Sequence, residues 1–222
     1  MFVGHLALGL AAKRAEPRLS LGWLMAAVTM LDLVWPILVL AGIEMVRIVP
    51  GATAFNPLVF DSYPWSHSLL MAIGWGILLA AVVRVVRGSS PILLLIALVV
   101  SHWVLDVVTH APDMPLWPGT SPLLGLGLWR SIPATYIVEG GLWIAGIALY
   151  LTTVQANRRA GPIALWSLIL LCTVMWASTP WGPPPPSPRA LGWAALTGWL
   201  IPFWAAAADR YYSPRVRART TT

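Results

Sequence analysis

Six side chains in the first half of the chain have the types and spacing that hold metal ions: His5, Asp32, His67, His102, Asp106 and His110. Imidazole nitrogens and carboxylate oxygens are ligands for zinc and other divalent cations. His102, Asp106 and His110 follow one another at intervals of four residues. On a helix each such step turns about 40° and rises about 6 Å, so the three share one stripe. The two histidines then lie about 12 Å apart, too far to share an ion. Neighbouring pairs can share one, so the stripe suits one ion with a partner behind it or two ions in a row. Read singly, each histidine is as readily a hydrogen-bonding packing residue; four histidines and two aspartates together point to a metal site. The set mixes imidazole and carboxylate with no thiolate, and for that mixture zinc is favoured, with manganese or iron as alternatives. Asp32 or Glu139 could take up a proton, although Glu139 could equally pair with Arg130. Asp61 and Asp113 read as outer-loop carboxylates, solvated or turn-forming, with Asp61 able to stand behind a ligand. Glu16 and Glu44 read as flank charges.

The elements that must position these residues are membrane helices. Of 222 residues, 58% are hydrophobic and 10% charged, against about 45–50% and 25% in soluble domains. That composition excludes an ordinary soluble fold and a disordered chain. The long apolar runs also exclude a porin-like barrel, whose strands alternate. The expectation is an all-α polytopic bundle of about seven helices in a single membrane domain, 1–222. Apolar segments fall near 20–43, 66–83, 91–110, 134–154, 162–179 and 190–208, preceded by a half-depth segment at 2–12. Pro36 is expected to kink the first long span. Residues 1–118 carry the polar half, 134–208 the scaffold helices, and 209–222 a basic tail.

Eleven of the fourteen basic residues flank alternate ends of these segments: Lys13, Arg14, Arg18, Arg84, Arg87, Arg158, Arg159, Arg210, Arg215, Arg217 and Arg219. The remaining three, Arg47, Arg130 and Arg189, fall at the opposite ends. By the positive-inside rule the first group, and the C-terminus with it, faces the cytoplasm. Trp65, Trp117, Trp129 and Trp181 then form an outer aromatic belt. Arginines beside a hydrophobic helix suit anionic lipid, so nucleic acid is not an expected partner. Cys172 lies in an apolar run and reads as packing. An apolar stretch ahead of Lys13 and Arg14 reverses the order found in signal peptides. Counting rise per residue, all six candidate ligands can meet in the outer half of the bundle. Ser66-His67-Ser68, with Ser66 as N-cap, would present free N–H groups that favour neutral imidazole and could hold a phosphate.

The motifs Gly4-His5-Leu6, Asp32, Ser66-His67-Ser68-Leu69-Leu70 and Ser101-His102-x3-Asp106-x2-Thr109 resemble those of the bacterial LexA-regulated inner-membrane metal-dependent hydrolases. That family is itself distantly like zinc-dependent phospholipase C and nucleases of the P1 type. The resemblance covers about residues 1–118, beyond which only hydrophobic helices are shared. It implies metal ligation by His5, Asp32, His67, His102 and Asp106; His110 is added from the stripe alone. Where the family commonly has Pro-Asp-x-Asp, this chain has Met30-Leu31-Asp32, with one acidic residue. The leading expectation is an inner-membrane, metal-dependent hydrolase that opens to the outer face and acts on a lipid or lipid-linked phosphoester. The alternatives are a non-catalytic accessory subunit of a membrane complex, and an ion or proton pathway along the His/Asp stripe.

Overall fold

The computed structural model describes residues 1–215; Arg217 and Arg219 of the expected basic tail lie outside the described residues. The helices are α1 (Val3–Ala12), α2 (Leu21–Val28), α3 (Met30–Leu40), α4 (Pro64–His67), α5 (Leu69–Arg87), α6 (Ile92–Thr109), α7 (Ile132–Thr153), α8 (Ala160–Ser178), α9 (Pro188–Ala195) and α10 (Leu200–Asp209). A 3₁₀ turn, Leu196–Trp199, joins the last two into one stretch. Five stretches are long and apolar enough to cross a membrane, and the bent α2–α3 pair makes a sixth. With the short α1, that gives the expected all-α bundle of seven segments.

The first long span breaks where the sequence did not point. α2 and α3 meet at 56° at Thr29, seven residues before the expected kink; Pro36 lies inside α3. Thr29 leaves the helical region (φ −107°, ψ 5°), and its hydroxyl donates back to the Met25 carbonyl at 2.7 Å, competing with the helical ladder. The second span also differs: Ser66 is interior to α4, and Ser68 caps α5 by accepting from Met71 N.

Short antiparallel pairs staple the ends. β1 (Met45–Ile48) pairs with β2 (Leu58–Ser62), and β3 (Met114–Pro115) with β4 (Leu123–Leu124). At the other end β5 (Val154–Ala156) pairs with β6 (Tyr212–Pro214). Lys13 Nζ donates to Asp209 at 2.5 Å, Arg87 reaches the Arg18 carbonyl, and Arg215 reaches the Val154 carbonyl. These contacts gather the loops of the eleven-charge group at one end. Phe55 N donates to the Trp129 carbonyl, while Arg47 and Arg189 line one hollow at the opposite end. The α2–α3 pair therefore runs from end to end despite its bend.

α1 reaches the centre because it packs very closely on α7. A Cβ added at Gly146 would stand 2.5 Å from the Ala7 carbonyl oxygen, so only glycine permits that crossing. The buried apolar side chains of α1, α2, α6 and α8 form the core around it.

Candidate metal centre

The buried residues of α6 are Leu95, Leu98, Val99, His102, Trp103, Asp106 and Thr109, an inward stripe at helical spacing. His102 and Asp106 thus point into the bundle, 0% and 2% exposed. His102 Nδ1 lies 2.7 Å from the Val28 carbonyl, the acceptor released where α2 breaks. A carbonyl only accepts, so Nδ1 carries the hydrogen, and in the neutral ring Nε2 presents a bare lone pair. That buried Nε2 has no hydrogen-bond partner among the described residues.

Four ligand atoms surround the space beside it. His102 Nε2 is 3.1 Å from Asp106 Oδ2 and 3.7 Å from Asp32 Oδ1. His67 Nε2 is 3.5 Å from Asp32 Oδ1 and 3.8 Å from Asp106 Oδ2. Tetrahedral zinc with ligand bonds of about 2.0–2.1 Å has ligand–ligand edges of about 3.3 Å; these four separations bracket that value, but Asp32 and Asp106 do not fall in one close set of ligand atoms. His5 approaches from α1: its ring stacks on His102 at 3.6 Å and 6°, and its Nε2 bonds the other Asp106 oxygen, Oδ1, at 3.0 Å. The Met1 amino nitrogen bonds the same oxygen. Two triads of candidate ligands result, His5/His102/Asp106 and Asp32/His67/His102. Both need His102, whose single bare nitrogen suits one ion better than two in a row.

Glu44, read from the sequence as a flank charge, is 2% exposed. Its carboxylate accepts from Trp65 N and Ser66 N, both at 2.8 Å, and from Ser66 Oγ at 2.6 Å. Ser66 Oγ lies 2.7 Å from His67 Nδ1. The one hydroxyl proton goes to the carboxylate, so Oγ accepts from Nδ1–H, and in the neutral ring His67 Nε2 is left bare. Glu44 therefore orients His67 through Ser66. It also overturns the expected anion site: the N–H groups of Trp65 and Ser66 are taken by Glu44, and those of His67 and Ser68 by the Tyr63 and Pro64 carbonyls.

Five of the six sequence candidates converge; His110 does not. Its Nδ1 lies 3.0 Å from Asp113 Oδ1 and 3.1 Å from the Tyr63 hydroxyl, and its ring packs on Trp129 and Phe60. Trp129 thus packs inward, on His110. Asp113 is not simply solvated either, because Tyr63 donates to it at 2.5 Å. Burial, then the Asp113 charge, pushes the Tyr63 phenol well above its ordinary pKa, so it stays a donor. Asp61 stands behind no ligand: Arg47 grips it through two bonds of 2.7 and 2.8 Å at the surface and holds its carboxyl below the usual range. Glu139 pairs with Phe2 N at 3.0 Å instead of with Arg130, is 0% exposed, and keeps Oε1 unpartnered.

A cleft of about 200 Å³ opens onto this centre, with Asp32, Trp35, His67, Asp106, His110 and Glu139 among its walls. Asp32 is the accessible member, its side chain 45% exposed where that of Asp106 is 3% exposed. Neither a curated protein nor a solved structure matches the chain. A family model, YdjM inner membrane protein, matches residues 63–182. The match includes His67, His102, Asp106 and Glu139, begins after His5, Asp32 and Glu44, and continues through α7 and α8, well past the motifs that end near residue 118. A match over more than half the chain, on a bundle of membrane-length apolar helices, shows that this chain belongs to the YdjM inner membrane protein family.

Proposed function

We propose that the chain is a membrane-embedded, metal-dependent hydrolase that acts on a lipid or lipid-linked phosphoester at the outer face of the inner membrane. The observation that carries this reading is the ring of His67, His102, Asp32 and Asp106 around the unpartnered Nε2 of His102. His102 would hold a divalent cation, zinc favoured, together with Asp32 and His67 or with His5 and Asp106, the other pair standing behind the ligands. Such a cation supplies Lewis acidity, which acidifies water and polarises a phosphoryl or acyl oxygen. The chain's own residues supply the rest. Asp32 faces the cleft from which a substrate arrives, and Glu139 Oε1 is the carboxylate oxygen left free to accept a proton. Trp35, on the cleft wall, keeps an unpartnered indole N–H that suits a phosphoryl oxygen.

Two features favour hydrolysis over the alternatives. An accessory protein needs no cleft beside its polar cluster, and this centre has one. An ion pathway needs polar groups running from the centre to the basic end, yet between the centre and the buried Lys13–Asp209 pair α2 and α6 present Leu24, Met25 and Val28, and Leu95, Leu98 and Val99.

The test is metal analysis of detergent-purified protein, with hydrolysis of a chromogenic phosphodiester measured in parallel. His102→Ala and Asp106→Ala should each lower bound metal by about tenfold or more, with activity falling alongside. Asp61→Ala, remote from the centre, should leave both near wild type; Asp113 is unsuited as this control because of its bond to His110. Well-folded wild type that takes up no stoichiometric metal in supplemented medium would return the cluster to a packing role.

A further inference from the structure

We propose that the apolar groove beside the metal centre seats one acyl chain of a membrane phospholipid, whose ester head reaches the cleft at Asp32. The groove, about 270 Å³, runs between α3, α8 and the α9–α10 stretch. Leu168, Leu171 and Met175 form one wall, and Ala195, Gly198 and Ile201 the other. Among the described residues Asp32 carries the one charge in its lining. Phe2, Asp32 and Trp35 line both this groove and the polar cleft, so the two spaces meet at the carboxylate.

Each wall has a local cause. The 3₁₀ turn Leu196–Trp199 interrupts the last span beside small side chains, Ala194, Ala195 and Gly198. Trp199 Nε1 donates to the Leu33 carbonyl at 3.1 Å, which pins that turn across α3 and fixes the groove's width. The break at Thr29 tilts α3 and puts Asp32 at the inner end.

Chemistry selects the occupant. These walls belong to membrane-spanning stretches, where the surrounding medium is hydrocarbon and an apolar hollow fills with chains. The groove ends on a half-exposed carboxylate beside the polar cleft, and a lipid brings an apolar chain and a polar head in one molecule. The volume lies just under the roughly 300–1,000 Å³ of ligand pockets that enclose a whole small molecule. It fits one slender chain with the second left in the bilayer. The proposal takes from the hydrolase reading only the fate of the ester; the seat itself stands on the groove.

The probe is phosphatidylglycerol carrying a diazirine at the end of one acyl chain, doped into nanodiscs of phosphatidylethanolamine and phosphatidylglycerol that hold the full chain. After irradiation, peptides bearing Leu171, Met175 and Ile201 should carry several-fold more adduct than those bearing the exposed Val85 and Leu93. Ala195→Trp, and independently Ala194→Trp, should remove the groove adducts while leaving those at Val85 and Leu93 and the bound metal unchanged. Equal labelling of groove and exposed faces would overturn the proposal, as would groove labelling that survives both fillings. Crosslinks from the groove to a second copy of the chain would overturn it too. Groove labelling in protein that binds no metal would sink the hydrolase reading and leave the lipid seat standing.

Discussion

At the residue scale, the helical spacing of His102 and Asp106 was enough to put both on one inward face, and the structure puts them there. His110 shares that spacing but stands at the C-cap of α6, with extended backbone (φ −69°, ψ 156°). Its ring leaves the stripe, and a count of residues carries no sign of where a helix stops. The burial of Glu44 is not legible in the sequence for the opposite reason. Nothing local marks it as buried, because its partners lie more than twenty residues away on α4. Its role can be separated from simple capping. Ser66→Ala removes the link to His67 yet keeps both backbone bonds to Glu44, so metal affinity should fall about 10–100-fold, as for other partners of ligands. The thermal midpoint should hardly move. Glu44→Gln, whose amide can donate to Ser66 and reverse the bond to Nδ1, should lower affinity similarly. Calorimetric titration with zinc and a melting curve for each variant separate the cases; unchanged affinity in Ser66→Ala would reduce Glu44 to a helix cap.

At the element scale, the membrane helices were legible because twenty-residue apolar runs have one outcome in lipid. The break in the second segment was not legible. Pro36 is the visible helix breaker, whereas the bend depends on a tertiary partner, His102, taking the Val28 carbonyl. The small strand pairs were equally hidden, since two to five residues of pairing leave no pattern in so apolar a chain. One element junction carries a large energetic term. Asp209, at the end of α10, accepts from Lys13 Nζ, Leu21 N and the Tyr150 hydroxyl. It thereby joins α1, α2, α7 and α10 at the basic end. The Lys13 and Asp209 side chains are 5% and 10% exposed, so removing one strands a buried charge. Asp209→Ala should cost about 3–5 kcal/mol of stability, and Lys13→Met with Asp209→Leu should recover most of it. Denaturant unfolding in detergent reads both, and a double variant as unstable as the single one would show that packing around Asp209, not charge, holds the junction.

At the scale of the whole molecule, two separations coincide. Basic loops gather at one end and the cleft-bearing His/Asp cluster lies toward the other, beside the Glu44 and Tyr63 loops. On the proposed reading the centre would meet lipid from the outer leaflet, since the positive-inside rule puts the basic end in the cytoplasm. The orientation can be read without reference to activity. Cys172 is 1% exposed and should stay silent to a membrane-impermeant maleimide. Ala52→Cys, in the exposed tip between β1 and β2, should react in intact spheroplasts. Ser89→Cys, between α5 and α6, should react only after the membrane is opened. Labelling of both positions from the same side would break the alternating topology, because α5 would then fail to cross. Labelling of Ser89→Cys alone in intact spheroplasts would invert the molecule. The cleft would then open toward the cytoplasm, its lipid would come from the inner leaflet, and the geometry of the centre itself would stand unchanged.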